Sequence, residues 1–232
     1  MKKINTILVT LGAILMLTGT SANSAEFSVG VSANGMAGYG NAKETIKGTG
    51  AHRTSNEEAV IASTYASIFA EMSSDEVMGL GVGISYAPEV VNLPKETRII
   101  QNTSGDSGND SGTQQIAGDI TDYLALYLTL PVGDSGAFVK GGYNQATLET
   151  KENLATGSKY ENIDLTGTFV GGGYEADLGD MMFWRAEGTF HMWDDISVNG
   201  SESNNGTTDT AKNKIEAELG SIVGSLSIGM RF

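Results

Sequence analysis

SIVGSLSIGMRF, residues 221–232, closes the chain. In an extended strand successive side chains alternate across the sheet. Ile222, Gly224, Leu226, Ile228, Met230 and Phe232 therefore share one face, and Val223, Ser225, Ser227, Gly229 and Arg231 share the other. The first face is apolar up to a terminal aromatic. The second is mostly small or polar and carries the one charge. A β-barrel in lipid needs that inversion, greasy outside and polar inside.

The opposite end carries a different signal. Lys2 and Lys3 precede an uncharged, mostly apolar run at 7–17 and then TGTSANSA. This is the pattern of a secretory signal peptide cut after small residues. Eleven residues span about 16 Å as a helix, too short for a hydrocarbon core of about 30 Å. Cleavage is expected after Ala25, with Ala22 as the other candidate. Residues 26–232 then form one domain with 12 basic and 28 acidic residues, a net charge of −16. Such a balance argues against nucleic acid as a partner, because phosphate binding needs clustered Lys and Arg. The absence of cysteine removes disulfides and thiolate metal sites. After the signal, no apolar run is long enough for a membrane helix.

Alternation recurs along the chain. Phe27, Val29, Val31, Ala33, Gly35, Ala37 and Tyr39 share a face. Met78, Leu80, Val82, Ile84 and Tyr86 share another, opposite a row rich in glycine. Leu124, Leu126, Leu128 and Leu130 mark a fourth strand. Ala137, Val139, Gly141 and Tyr143 mark a fifth, and Met182 to Met192 on even positions a seventh. Two segments fit either face. At 59–72, Ile61, Tyr65 and Phe69 are assigned outward; at 165–175, Thr168, Val170, Gly172 and Tyr174 are. Eight segments result, joined by tight connections at 73–76, 132–136 and 176–180 and long polar ones at 41–58, 88–118, 149–161 and 198–212. Short periplasmic turns alternate with long extracellular loops in membrane barrels, so loop lengths and hydrophobic pattern agree. The expected fold is all-β: an eight-stranded antiparallel up-and-down transmembrane barrel.

The closing strand has a complication. Ile215, Ala217 and Leu219 fall on odd positions, whereas the apolar residues of 222–232 fall on even ones. The outward face is expected to change frame around Gly220. A β-bulge marked by that glycine would do this. Alternatively, the upper segment rises above the bilayer.

With signal, alternation, loop asymmetry and Phe232 assembled, the chain resembles small bacterial outer-membrane barrels of the OmpA transmembrane-domain, OmpX and opacity-protein type. The stretches IFAEM, FVKGGYN, GGYEADLG and SIGMRF are also similar to barrel proteins of marine bacteria. The resemblance implies a bacterial outer-membrane location, contact with membrane lipid and lipopolysaccharide, and a terminal Phe232 read by the barrel-assembly machinery. It supplies no catalytic residue and no cofactor.

Lys140, Arg185, Glu187 and Arg231 fall on interior faces, where charges need partners. They form either a network that seals and rigidifies the barrel or a polar path for small solutes. His191, Asp194 and Asp195 sit together near the end of strand seven, but no second carboxylate pair supports a protease. SGDSGNDSG, with Asp106, Asn109 and Asp110, lacks the EF-hand spacing and reads as a solvated loop. Asn102, Asn109, Asn199 and Asn205 begin N-x-Ser/Thr tripeptides of ordinary loop composition. GDSG at 133–136 is turn chemistry, and GGGY at 171–174 precedes no helix that could dock a phosphate. The leading expectation is a monomeric, side-chain-filled barrel without enzymatic activity, contacting an extracellular ligand or phage through acidic loops. The alternative is a narrow channel or lateral-gate transporter for small or apolar solutes.

Overall fold

The alternation at residues 27–39 builds the first stave of a closed antiparallel barrel. The computed structural model describes residues 25–46, 53–74, 78–92, 96–100, 112–153, 161–203 and 212–232. They form β1 (Ala25–Ile46), β2 (Arg53–Ser74), β3 (Leu80–Asn92), β4 (Glu96–Ile100), β5 (Gly112–Pro131), β6 (Ala137–Asn153), β7 (Ile163–Asp177), β8 (Met182–Trp193), β9 (Ile196–Ser203) and β10 (Lys212–Arg231). Neighbours pair in the order β1-β2-β3-β5-β6-β7-β8-β10, and β10 returns to β1 without a register shift from Ser28↔Arg231 to Thr45↔Lys214. β4 follows β3 on the same partner, β5, and β9 follows β8 on β10. Ten strands make eight staves.

The tight turns and both described ends of the chain lie at one rim. Gly133 and Gly136 take the positive φ values, 61° and 80°, that their turn requires, and the Val132 N–H donates to the Ala137 carbonyl at 2.8 Å. The Phe27 and Phe232 backbones exchange hydrogen bonds at 3.3 and 2.8 Å, with their rings 6.5 Å apart. By the barrel rule this is the periplasmic rim. All but Ala25 of the predicted signal peptide and all but Gly112 of SGDSGNDSG lie outside the described residues.

Exposure follows strand parity. Val31, Leu128, Val139, Val170, Phe190, Ile222 and Leu226 are exposed, while Ser28, Asn34, Tyr127, Phe138, Phe169, Arg185 and Ser227 are buried. No outward position from Phe27 to Tyr39 on β1, or paired with them on β2 and β10, carries a charge. Thirteen residues tilted as in other barrels stand about 30 Å tall, the height of a hydrocarbon core. Strand seven and the chosen face of strand six (now β7) follow the expected phase.

Strand two does not. Val60, Ala62, Thr64, Ala66 and Ile68 face out, whereas Phe69 and Ser67 are buried and Tyr65 packs against the interior core. The aromatic face turns inward because the small residues of β1 leave room there. A side chain at Gly30 would collide with the Phe69 ring, which also packs 6.2 Å from Phe183.

The frame change at Gly220 is also absent. β10 is regular there, and the one register shift lies against β9 near Lys212. Gly220 stays in frame because the Tyr39 ring covers it from the neighbouring strand, where a Cβ would collide. What changes is the surrounding solvent. Above Tyr39, Glu216 and Glu218 point out and are exposed, while Ala217 and Leu219 pack inward. The upper segment does stand above the apolar belt.

For the same reason much of each predicted loop is wall. β1 and β2 remain paired from Asn41↔Glu58 to Ile46↔Arg53, and β3, β4, β5, β6, β9 and β10 extend into the other three polar stretches. With 22 residues, β1 is about 70 Å long, roughly twice what the belt uses. The extracellular half has the polarity of a soluble barrel: Glu58, Asp164, Asp194 and Glu216 outside, with Val91, Leu165 and Ile196 inside.

Among the described residues, β2 and β3 lose their pairing within the belt. β2 pairs with β3 only between Ile68↔Tyr86 and Ser74↔Leu80. Continuing that register would set Pro88 opposite Ala66, and proline has no N–H to donate. Higher up, the Ser63 hydroxyl donates to the Val90 carbonyl at 2.7 Å and bridges the two staves.

Two substitutions test the face and the waterline together. Thr64→Arg, on the lipid side of β2, should cost about 2–4 kcal/mol in reversible unfolding from bilayers. Glu218→Lys, above the belt, should change stability by less than about 0.5 kcal/mol.

Candidate functional site

The interior face of β8 carries Arg185, Glu187, Thr189 and His191 at successive inward positions. Arg185 keeps 5% of its surface and Glu71 keeps 7%. The guanidinium grips Glu71 of β2 in bidentate fashion, at 3.0 and 3.1 Å, and its Nε donates to Glu175 of β7 at 2.6 Å. The Thr129 hydroxyl of β5 donates to the same Glu71 carboxylate at 3.3 Å. Lys140 of β6 donates to both oxygens of Glu187, at 3.0 and 3.1 Å, and Glu187 lies 3.8 Å from Arg185. Arg231 closes the lower end with Glu175 and Asp177, and with Glu26 at 3.0 Å.

Aromatic rings fill the space around these charges. The Arg185 guanidinium lies 5.1–5.4 Å from the ring centres of Phe69, Phe138 and Phe183. Lys140 Nζ sits 3.9 Å from the centre of Tyr127, whose ring occupies the space a side chain at Gly83 would need. Cations on ring faces keep favourable electrostatics where water is scarce. The result is a plug that ties together β2, β5, β6, β7 and β8.

The sequence-selected residues Lys140, Arg185 and Glu187 converge here, and Arg231 reaches them through Glu175. Four carboxylates were missing from that set: Glu71 and Glu175, which hold Arg185, and Asp177 and Glu26, which with Glu175 hold Arg231. Three cations against one carboxylate could not stay ionised in a dry lumen, and that imbalance was a usable signal. Glu71 shares parity with Phe69, so it also marked the inward face of strand two. Glu175 alternates with the outward Tyr174.

A second network crosses the other side of the lumen. Asn34 donates to Ser67 Oγ at 3.0 Å and accepts from Ser225 Oγ at 2.6 Å, while Ser32 and Ser227 pair at 2.8 Å. Above the plug lies a chamber of about 40 Å³, and below it a periplasmic vestibule of about 280 Å³. Over the chamber Tyr65, Tyr123 and Phe169 form a lid that merges with the upper apolar core.

His191 does not join Asp194 and Asp195. Its ring is buried, stacked 5.0 Å from Phe169, with Nε2 2.9 Å from the Thr189 hydroxyl. Asp194 and Asp195 are exposed at the break between β8 and β9, where Asp194 accepts from Thr166 at 2.5 Å. Among the described residues no group of three or more His, Asp or Glu could hold a metal ion.

Removing one partner of a buried pair strands the other charge. Arg185→Met should therefore lower stability by about 3–5 kcal/mol in denaturant titrations of the refolded barrel. Combining it with Glu71→Leu should restore part of the loss. Lys214→Met should stay within about 0.5 kcal/mol, because its ion pair with Glu216 is exposed on the outer wall.

No family profile matches the chain, and no curated protein does. Solved structures give the fold. The outer membrane protein OprG from Pseudomonas aeruginosa superposes with a TM-score of 0.51 at 14% identity, over 90% of this chain and 96% of its own. The N-terminal β-barrel domain of Pseudomonas aeruginosa OprF gives 0.39 at 12% identity, over 85% and 97%. Neisserial surface protein A gives 0.37 at 10%, over 89% and 97%. At such identities the likeness is one of fold. This chain is a closed eight-stranded antiparallel barrel with the architecture of the small outer-membrane barrels.

Proposed function

We propose that the protein is a sealed outer-membrane barrel that works through its extracellular wall and has no chemistry of its own. The observation that carries this reading is the plug: Arg185 held by Glu71 and Glu175, with Lys140 on Glu187 beside it. Axial passage would require breaking several buried ion pairs at once, and the chamber above holds only about 40 Å³. The network seals and braces. The extracellular wall offers Glu58, Asp164, Asp194, Asp195, Glu216 and Glu218 to a partner, a macromolecular ligand or a phage protein. Residues 1–25 direct secretion and are removed, Phe232 is the residue the barrel-assembly machinery reads, and the working form is a monomer in contact with lipopolysaccharide.

A second reading, lateral passage of small apolar solutes, is favoured by one specific observation. β2 and β3 part above Ile68 and Tyr86, beside an apolar interior. It needs no axial pore.

Planar-bilayer recording separates an axial pore from both readings: the refolded protein should give no discrete single-channel currents. Stable currents that vary with the charge at Arg185 would overturn the seal. Uptake of an apolar fluorescent probe by cells with and without the barrel then distinguishes the two readings. The first expects equal uptake.

A further inference from the structure

Closing the barrel poses a choice that the lipid face does not make. Below Tyr39 the outward rungs between β1 and β10 pair Val29 with Met230, Val31 with Ile228, Ala33 with Leu226, Gly35 with Gly224 and Ala37 with Ile222. Parity fixes which side faces lipid, but a slip of two residues keeps parity and still sets apolar against apolar. Such a slip would move β10 by roughly 7 Å along β1. It would also change the stagger of the barrel, and with it the span the lumen charges have to bridge. The Glu71 carboxylate, 3.0 Å from Arg185, depends on the native span.

The inward rungs do choose. Gly30 and Gly229 face each other across the seam, flanked by Phe69 of β2 and Phe183 of β8. Each ring occupies the place a side chain on its glycine would need, and the ring centres lie 6.2 Å apart. One rung higher, Ser32 and Ser227 join through their hydroxyls at 2.8 Å. On the next, the buried Asn34 accepts from Ser225 at 2.6 Å. Asn34 also donates to Ser67 Oγ at 3.0 Å and to the Tyr65 carbonyl at 3.2 Å, both on β2. A slip in one direction would split the glycine pair and set Val223, which has no side-chain donor, opposite Asn34. A slip in the other would set Met36 opposite Ser225 and Arg231 opposite Gly30.

We infer that these three successive inward rungs, Gly30 with Gly229, Ser32 with Ser227 and Asn34 with Ser225, select where the last strand closes on the first. Asn34 is the central positioning residue, because it ties both strands of the seam to β2. The ion-pair plug then forms on the register the rungs have set. The inference does not depend on what the extracellular wall binds.

The chain has no cysteine, so engineered pairs report register without background. Above the belt Asn41 and Glu218 are exposed partners; Asn41 would meet Glu216 after one slip, and Lys43 would meet Glu218 after the other. Under mild oxidation of the barrel refolded in bilayers, Asn41→Cys with Glu218→Cys should cross-link. The slipped pairs, Asn41→Cys with Glu216→Cys and Lys43→Cys with Glu218→Cys, should not. Adding Ser32→Ala, Asn34→Ala and Ser227→Ala should cost the native pair its exclusivity and let a slipped pair form. Asn34→Ala alone, the gentler change, should do so to a lesser extent. Exclusive native cross-linking in every folded rung variant would overturn the inference. So would slipped cross-links in Glu71→Leu with the rungs intact, because they would place the choice in the plug.

Discussion

One face of one wall meets two solvents. From Phe27 to Tyr39 the outside of the barrel lies against hydrocarbon, and above Tyr39 it lies against water. β10 does not change direction or register at that boundary but passes through it paired residue by residue with β1. Only the sign of the polarity reverses. Below, Leu226 and Ile228 face out while Ser225 and Ser227 face in; above, Glu216 and Glu218 face out while Ala217 and Leu219 face in. Lipid cannot solvate a charge, so every ionised residue of the lower wall turns inward and has to find a counter-charge there. Water can solvate charges, so the upper wall needs none inside and fills with Val91, Leu165 and Ile196. The charged plug and the apolar lid are two consequences of one constraint.

This constraint explains which parts of the fold the sequence revealed. The belt was legible because alternation against lipid admits no charge, and Tyr39, Tyr86, Tyr174 and Phe232 mark its two edges. The upper staves were not, because a wall between water and an apolar core has the opposite phase. Read by the lipid rule, Asn41 to Glu58 looks like loop. Read as a soluble hairpin, residues 41–46 and 53–58 pair in register. The supposed bulge at Gly220 came from applying one rule across the boundary, when the glycine was only making room for the Tyr39 ring.

The interior was half legible. Parity placed Lys140, Arg185, Glu187 and Arg231 inside, but it said nothing of how far each side chain reaches. Glu71 lies 114 residues from Arg185, three staves around the barrel, and no local pattern joins them. Electroneutrality was the missing condition. Once every cation in a dry lumen is required to have a carboxylate, Glu71 must face inward, and Phe69 and Tyr65 come with it. The misassigned face of strand two and the missing partners of Arg185 were one error.

The plug also ties the barrel's closure to its seal. Hydrogen bonds between staves hold each strand to its two neighbours, but β2 and β3 stop pairing where Pro88 falls. Below that point β2 is tied across the lumen through Glu71 to Arg185 on β8, and through the same carboxylate to Thr129 on β5. The cross-lumen bonds therefore brace the stave whose upper edge leaves the ladder. A barrel that opened this plug to pass a solute would loosen the wall beside its least paired strand. On the proposed reading of a sealed barrel, sealing and wall stability become the same property of these side chains, because the bonds that would close the lumen are the bonds that tie β2 to β8 and β5.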